Sequence, residues 1–309
     1  MPDLILHHYQ NSPFSEKIRL MFGFKKLAWK SVLIPPVMPK PNLTALTGGY
    51  RRTPVLQVGA DIYCDTALIA DVLERVAPSP SLYPAPVTGL ARTLAQWADA
   101  TLFWTVIGYV FQPIAIPHLL GPLTPEQMKA FGADRAAMRG NAPRMTAQEA
   151  TGNLKVYLRR LDDMLADGKR YLLGAQASIA DFSVYHCMWF IQLAQPLAGI
   201  LDDVPRLKDW VARMAGVGHH QSEMLSAERA LEVARDSTAA ETRGFPFVDT
   251  HGVALGERVS IMPTDYAFDP VEGELVISAD NEFAVRREDP KAGRVVVHFP
   301  RIGFQMKKI

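Results

Sequence analysis

With 48% hydrophobic and 21% charged residues over 309 positions, the chain carries apolar side chains enough for roughly two domains. Lys and Arg (33) almost cancel Asp and Glu (32), and the net charge of +1 excludes a global electrostatic pull toward nucleic acid or an anionic membrane. The two cysteines, Cys64 and Cys187, form neither a disulfide framework nor a metal-ligand spacing, and no basic region followed by an apolar run opens the chain, so a reducing cytoplasm is the expected compartment.

Leu4-Ile5-Leu6 predicts a short buried strand, and Tyr9-Gln10-Asn11-Ser12-Pro13 supplies turn chemistry. Phe14, Ile18, Met21 and Phe22 then recur at helical spacing. Ser12 stands just before Pro13, which has no N–H to leave unpaired at a first helical position, and serine is a favoured N-cap. Its hydroxyl therefore sits at a positive helix end. There it either caps the helix or, with the helix end, stabilises an anion such as a thiolate. Trp29 to Ile34 alternates and stops at Pro35-Pro36, a second strand parallel to the first through a helical crossover. Val37 to Tyr50 holds too many breakers for a long element and predicts a loop with a short helix near Leu43–Leu46.

Val55–Val58 and Asp61–Tyr63 read as a hairpin around Gly59-Ala60, opened by Pro54. Asp65 is a natural N-cap for the apolar helix from Ala67 to Val76. A proline-rich stretch, Ala77 to Pro86, marks a domain boundary, and the pattern beyond it is helical. A long helix is predicted over 89–111, with Trp97, Phe103, Trp104 and Ile107 facing a core, a dimer surface or a substrate pocket. Its apolar run, Thr101 to Ile116, is broken by Gly108, Gln112 and Pro113 and falls short of the roughly 18 residues that cross a bilayer. Capping boxes at Thr124–Gln127 and Thr146–Glu149 predict helices over 125–139 and 147–165, and Ser178–Asp181 opens a third over 182–194. Asp181 is thus read as structural. Further helices are expected over 205–215 and 222–235.

Residues 236–244 read as a linker, after which the period changes to that of strands: Arg258–Met262, Glu274–Ser278, Glu282–Arg286 and Arg294–Phe299, roughly four in all. A small β-rich domain over 244–309 is expected. Its near-balanced charge gives no case for nucleic acid, and Asp249, His251, Asp265 and Asp269 are read as solvated loop residues, so no metal is expected.

Ser12-Pro13-Phe14-Ser15 resembles the Cys-Pro-(Phe/Tyr)-Cys loop of the thioredoxin-like fold with serine in both cysteine positions, which removes redox chemistry. Arg51-Arg52-Thr53-Pro54-Val55 followed by Asp65-Thr66 resembles the cis-proline strand and γ-glutamyl turn of the cytosolic glutathione S-transferases, serine-type and bacterial-like. The resemblance spans residues 1–215, in motif detail only over the first eighty or so, and leaves 244–309 outside it.

That resemblance implies an α/β thioredoxin-like glutathione-binding domain over 1–84 and an all-α helical domain over 85–235, ahead of the β-rich domain. It implies a transferase, glutathione as co-substrate, a small electrophile as second substrate and a homodimer engaged in detoxification, with no nucleic acid, membrane or metal partner. Ser12 would hold the thiolate, with Tyr9 as rival. Thr53, freed by a cis Pro54, would pair with the peptide backbone; Thr66 would meet the γ-glutamyl carboxylate and Asp65 its ammonium. Arg51 or Arg52 would meet the glycine carboxylate, with Lys40 a weaker candidate, although two solvated loop arginines remain open. Many bacterial members have Asn-Pro before this region, where this chain has Thr47-Gly48-Gly49-Tyr50. The alternative is a non-catalytic protein of the same fold that docks a partner through its β domain; a thiol-disulfide oxidoreductase lacks the cysteine at position 12.

Overall fold

The structure, a computed structural model, describes residues 3–140, 144–240 and 246–309. Strand β1 (Ile5–His8) is buried along its whole length, as befits a strand covered on both faces. It pairs parallel with β2 (Trp29–Leu33) and antiparallel with β3 (Val55–Val58), which turns back into β4 (Asp61–Cys64). Helix α1 (Pro13–Lys25) makes the crossover, α2 (Pro41–Thr47) sits in the expected loop, and α3 (Thr66–Val76) follows β4. This is the thioredoxin-like arrangement that the motifs imply. The period of two decides what each strand residue packs against: Leu6, Leu56 and Tyr63 enter a core shared with α1, α3 and the helical domain, while Ile5, Val55, Ile62 and Cys64 enter a second core on the other face.

The helical domain begins with α4 (Thr88–Trp97), a π-helical turn over Ala98–Leu102, and α5 (Phe103–Val110), so the single long helix of the sequence reading carries a one-turn widening in its middle. It continues through α6 (Ile116–Leu120), α7 (Pro125–Arg139), α8 (Ala147–Met164), α9 (Ile179–Leu193) and α10 (Pro205–Ala215). The two capping boxes that open α7 and α8 are formed as expected. Asp181 does more than cap: it accepts from Ser178 N (2.9 Å), Leu172 N (2.9 Å) and Trp210 Nε1 (3.1 Å), tying three segments together. Gly23 of α1 allows the close approach of the chain after α10, since a Cβ there would lie 1.9 Å from the Gly218 carbonyl.

The helix expected over 222–235 is corrected. Ser222–Met224 is a strand, β5, that adds parallel to β2 at the sheet edge, and α11 (Ala227–Asp236) starts only after Ser226, whose hydroxyl accepts from Arg229 N. Edge pairing is made by backbone groups, and the exposed side chains of β5 carry no trace of it. Among the described residues five strands follow, where roughly four were expected: β6 (Arg258–Pro263), β7 (Val271–Ser278), β8 (Glu282–Asp289), β9 (Gly293–Pro300) and β10 (Phe304–Lys308). The last of them pairs antiparallel with β6 and buries Phe304 and Met306. Part of the linker reading, residues 241–244, lies outside the described residues.

These C-terminal strands form the expected β-rich region, and β9 lies parallel against β4, with Tyr63 opposite His298, so ten strands make one sheet in the order β10-β6-β7-β8-β9-β4-β3-β1-β2-β5. His298 lies at that seam, Nε2 at 3.0 Å from Asp61 and Nδ1 at 2.6 Å from Glu282, with the Tyr63 ring stacked on it at 4.4 Å. Arg287 of β8 donates to the Ala45 carbonyl (2.5 Å) at the end of α2, close over Gly48, whose φ of +76° suits glycine and where a Cβ would lie 2.7 Å from Arg287 Nε.

Candidate active site

Ser12 caps α1 as its spacing predicts, its Oγ accepting from Ser15 N at 3.2 Å, and Pro13 occupies the first turn. The turn before it is held from below. Arg19 donates to the carbonyls of Gln10 (2.9 Å) and Tyr9 (3.4 Å) and to His8 Nδ1 (3.1 Å), while its other contacts reach Glu16 (2.7 Å). Burial and the neighbouring guanidinium push the His8 imidazole down to about 3, so it is neutral, accepts from Arg19 and can donate from Nε2 to Ser31 Oγ at 2.8 Å. Asn11 Nδ2 donates to the Leu119 carbonyl, which ties the same turn to the helical domain.

All nine residues that the resemblance offers for glutathione, Tyr9, Ser12, Lys40, Arg51, Arg52, Thr53, Pro54, Asp65 and Thr66, line one cavity of about 2180 Å³ between the thioredoxin-like and helical domains. The Thr53–Pro54 bond is cis, as the motif implies. Asp65 caps α3 by accepting from Ala67 N at 2.9 Å, at a φ of +76°, and burial raises its carboxyl above the usual range despite nearby Arg52 and Lys17.

The arginines are placed differently from the expectation of free anion binders or solvated loop residues. Arg51 Nη2 lies 2.5 Å from Asp134 of α7, and Arg52 Nη2 lies 2.6 Å from Asp265 and also donates to the Tyr266 carbonyl, in the loop between β6 and β7. Lys40 is buried on the cavity wall, and its ammonium donates to two neutral oxygens, the Arg51 carbonyl (3.2 Å) and Thr53 Oγ1 (3.4 Å). Burial, with Arg135 and Arg51 nearby, pulls its ammonium down to about 8.

The N-terminal-domain model of the glutathione S-transferase family matches residues 6–81, and the family's C-terminal-domain model matches 144–213. A glutathione S-transferase-like protein of Pseudomonas syringae, known by crystal structure, is 42% identical over 100% of both chains with a TM-score of 0.85. The chain belongs to the glutathione S-transferase family. A glutathione S-transferase from Rhodospirillum rubrum (21% identity, 68% of this chain and 86% of that one, TM-score 0.51) and the β-etherase LigF of a Sphingobium strain (20%, 68% and 94%, 0.51) share the fold. No curated protein matches. The full-length coverage of the Pseudomonas protein means that the C-terminal strands are shared with at least one relative, whereas those of lower identity align over only about two thirds of this chain.

In this transferase-family chain a buried ionic cluster that the sequence reading missed underlies the site. Lys17 Nζ, on α1, lies 2.6 Å from Asp99 Oδ2 in the π-turn and 3.0 Å from Thr66 Oγ1, and His186 Nε2 of α9 lies 3.0 Å from Asp99 Oδ1. Burial would raise the Asp99 carboxyl, but Lys17 and His186 together hold it below its usual range, while burial lowers His186. The neutral imidazole then donates to a carboxylate whose charge is balanced by Lys17. One signal was available: Lys17 lies three residues after Phe14 and four before Met21, a charge on the apolar face of its helix. Asp99 gives none, because a π-turn shifts the face to which its position points.

Proposed function

We propose that this protein binds reduced glutathione and adds its thiolate to a small electrophile, with Ser12 stabilising the thiolate. One observation carries the reading: a buried serine hydroxyl at the N-terminus of α1 shares a cavity wall with Thr53, Asp65 and Thr66. A helix N-terminus and a hydroxyl donor both favour the sulfur anion, and the thiolate is the nucleophile. Its proton passes to solvent and the sulfur lone pair forms a carbon–sulfur bond; in a substitution the leaving group departs with the electron pair of the broken bond, and in an addition the π pair of the electrophile's double bond moves to the neighbouring atom, which takes a proton from solvent. Asp65 would hold the γ-glutamyl ammonium and Thr66 its carboxylate. Arg51 and Arg52 already face carboxylates, whereas the hydrogen bonds of Lys40 run to neutral oxygens, so the glycine carboxylate is assigned to Lys40. A cytoplasmic homodimer is the expected setting, to be checked by light scattering.

The test is glutathione titration with thiolate absorbance against pH in wild type, Ser12→Ala, Ser12→Thr and Ser12→Asn. Ser12→Ala should lower turnover by about a hundredfold, the scale of one lost anion-stabilising donor, and raise the bound thiol's pKa with little change in glutathione affinity. Ser12→Thr should restore part of the turnover. If Ser12→Asn, which keeps the helix cap, restores it equally, either the cap or the side-chain amide donating in the hydroxyl's place accounts for the effect, and Tyr9→Phe becomes the decisive variant. The pairing of both arginines with carboxylates favours the second reading, a non-catalytic binding protein, and absence of glutathione binding at millimolar concentration would decide for it.

A further inference from the structure

The loop between β6 and β7 lines the cavity through Thr264, Asp265 and Tyr266 and is fastened at both ends. On the thioredoxin-like side Arg52 holds Asp265 and the Tyr266 carbonyl, and on the helical side Ala267 N donates to the Met138 carbonyl at the end of α7 (2.7 Å). Between these tethers the Tyr266 ring meets Trp104 of α5 edge-on, centroids 4.9 Å apart and planes at 64°. Both rings are half-buried and line the cavity, whose wall continues through Phe103, Phe111 and Phe131. Pockets for single small ligands hold about 300–1,000 Å³. At about 2180 Å³ this cavity has space for a large second ligand beside the tripeptide.

We propose that Tyr266, supplied by the appended strands, and Trp104 form the aromatic wall of the acceptor pocket, and that the acceptor class is a flat compound of two or more fused or linked aromatic rings. Aromatic side chains gain more from the edges and faces of other rings than from aliphatic chains of equal area. The inference rests on the transferase reading for the reaction but not for the binding of the ring system. It also gives the C-terminal strands a role in the site: they carry one of its walls.

The probe is N-phenyl-1-naphthylamine, a neutral two-ring fluorophore, titrated into the full chain as wild type, Tyr266→Ala, Tyr266→Phe and Trp104→Leu, with circular dichroism melting of each and a parallel glutathione titration. Tyr266→Ala and Trp104→Leu should each weaken probe binding fivefold or more, Tyr266→Phe should restore it, and glutathione affinity should stay within twofold, because Asp265 and the 266 carbonyl still hold Arg52. Wild-type binding that Tyr266→Ala leaves unchanged would overturn the wall assignment, as would probe binding that dodecane displaces as well as naphthalene does. If Tyr266→Ala fails to melt cooperatively, the Tyr266→Phe and Trp104→Leu pair decides. Should glutathione not bind the wild type, the transferase reading falls and the probe titration alone still judges the wall.

Discussion

Lys17 and Asp99 meet at 2.6 Å beneath the candidate site, joining α1 of the thioredoxin-like domain to the π-turn of the helical domain. The Lys17 side chain is wholly buried, and its ammonium also donates to Oγ1 of Thr66, one of the residues assigned to the γ-glutamyl carboxylate. Removing one member of a fully buried pair costs about 3–5 kcal/mol, and Asp99, which is partly exposed and keeps its hydrogen bond from His186, places the loss of Lys17 at the lower end of that range. Lys17→Met should therefore lower stability in urea by that order. The double variant Lys17→Met/Asp99→Leu should recover most of the loss in stability but not in glutathione affinity. Recovery of both together would mean that Lys17 plays no part in placing Thr66.

On the proposed assignment of Lys40, ligand binding should depend on pH. Its ammonium is pulled down to about 8, so the cation assigned to the glycine carboxylate is lost as pH rises through that value. Titration with S-methylglutathione, which has no thiol to ionise, should show affinity falling between pH 7 and 9, and binding near pH 8 should take up protons as the carboxylate raises the lysine. Lys40→Met should bind weakly and without that slope. An unchanged slope in Lys40→Met would return the carboxylate to Arg51 or Arg52.

Much of this arrangement was legible in the sequence wherever local chemistry decides the structure. Ser12 before Pro13, Thr124 before Pro125 and Ser178 ahead of Asp181 mark helix starts because a side-chain oxygen has to meet backbone N–H groups there. The apolar runs Leu4-Ile5-Leu6 and Val55-Leu56 mark strands buried on both faces. Contacts between distant segments left no local mark. The sheet edge made by Ser222–Met224 is a backbone event, and the pairing of β9 with β4 depends on His298 and Asp61, which lie 237 positions apart. Nothing near Arg51 and Arg52 in the chain announces Asp134 or Asp265, so the sequence offers them as cations for the glycine carboxylate or as solvated loop residues.

Asp181 can be tested as a purely structural carboxylate. It is fully buried and accepts from two backbone N–H groups and the Trp210 indole, and burial raises its carboxyl. Asp181→Ala would strand three donors, each costing about 1–3 kcal/mol when unsatisfied and less than additively together. A loss of about 3–5 kcal/mol is expected in chemical unfolding, with Asp181→Asn recovering part of it. Turnover per folded molecule should be unchanged. A fall in turnover at full folding would show that the residue acts on the site.

His298 gives the seam between β4 and β9 its own pH response. Burial alone would lower its pKa, but hydrogen bonds and charges from Asp61 and Glu282 reverse this and raise it above the ordinary histidine value. A group raised in the folded state contributes stability that is fully present below its unfolded pKa, about 6.5. That stability is lost as pH rises through the folded value, where the imidazolium gives up its proton between two carboxylates. The melting temperature should therefore decline as pH is raised from 6 toward 9. His298→Gln should melt lower at pH 6 and show a flatter profile, since it cannot supply the positive charge that Asp61 and Glu282 share. Parallel profiles for the two proteins would mean that the imidazole is neutral in the fold and that the seam is held by hydrogen bonding and by the stacked Tyr63 ring alone.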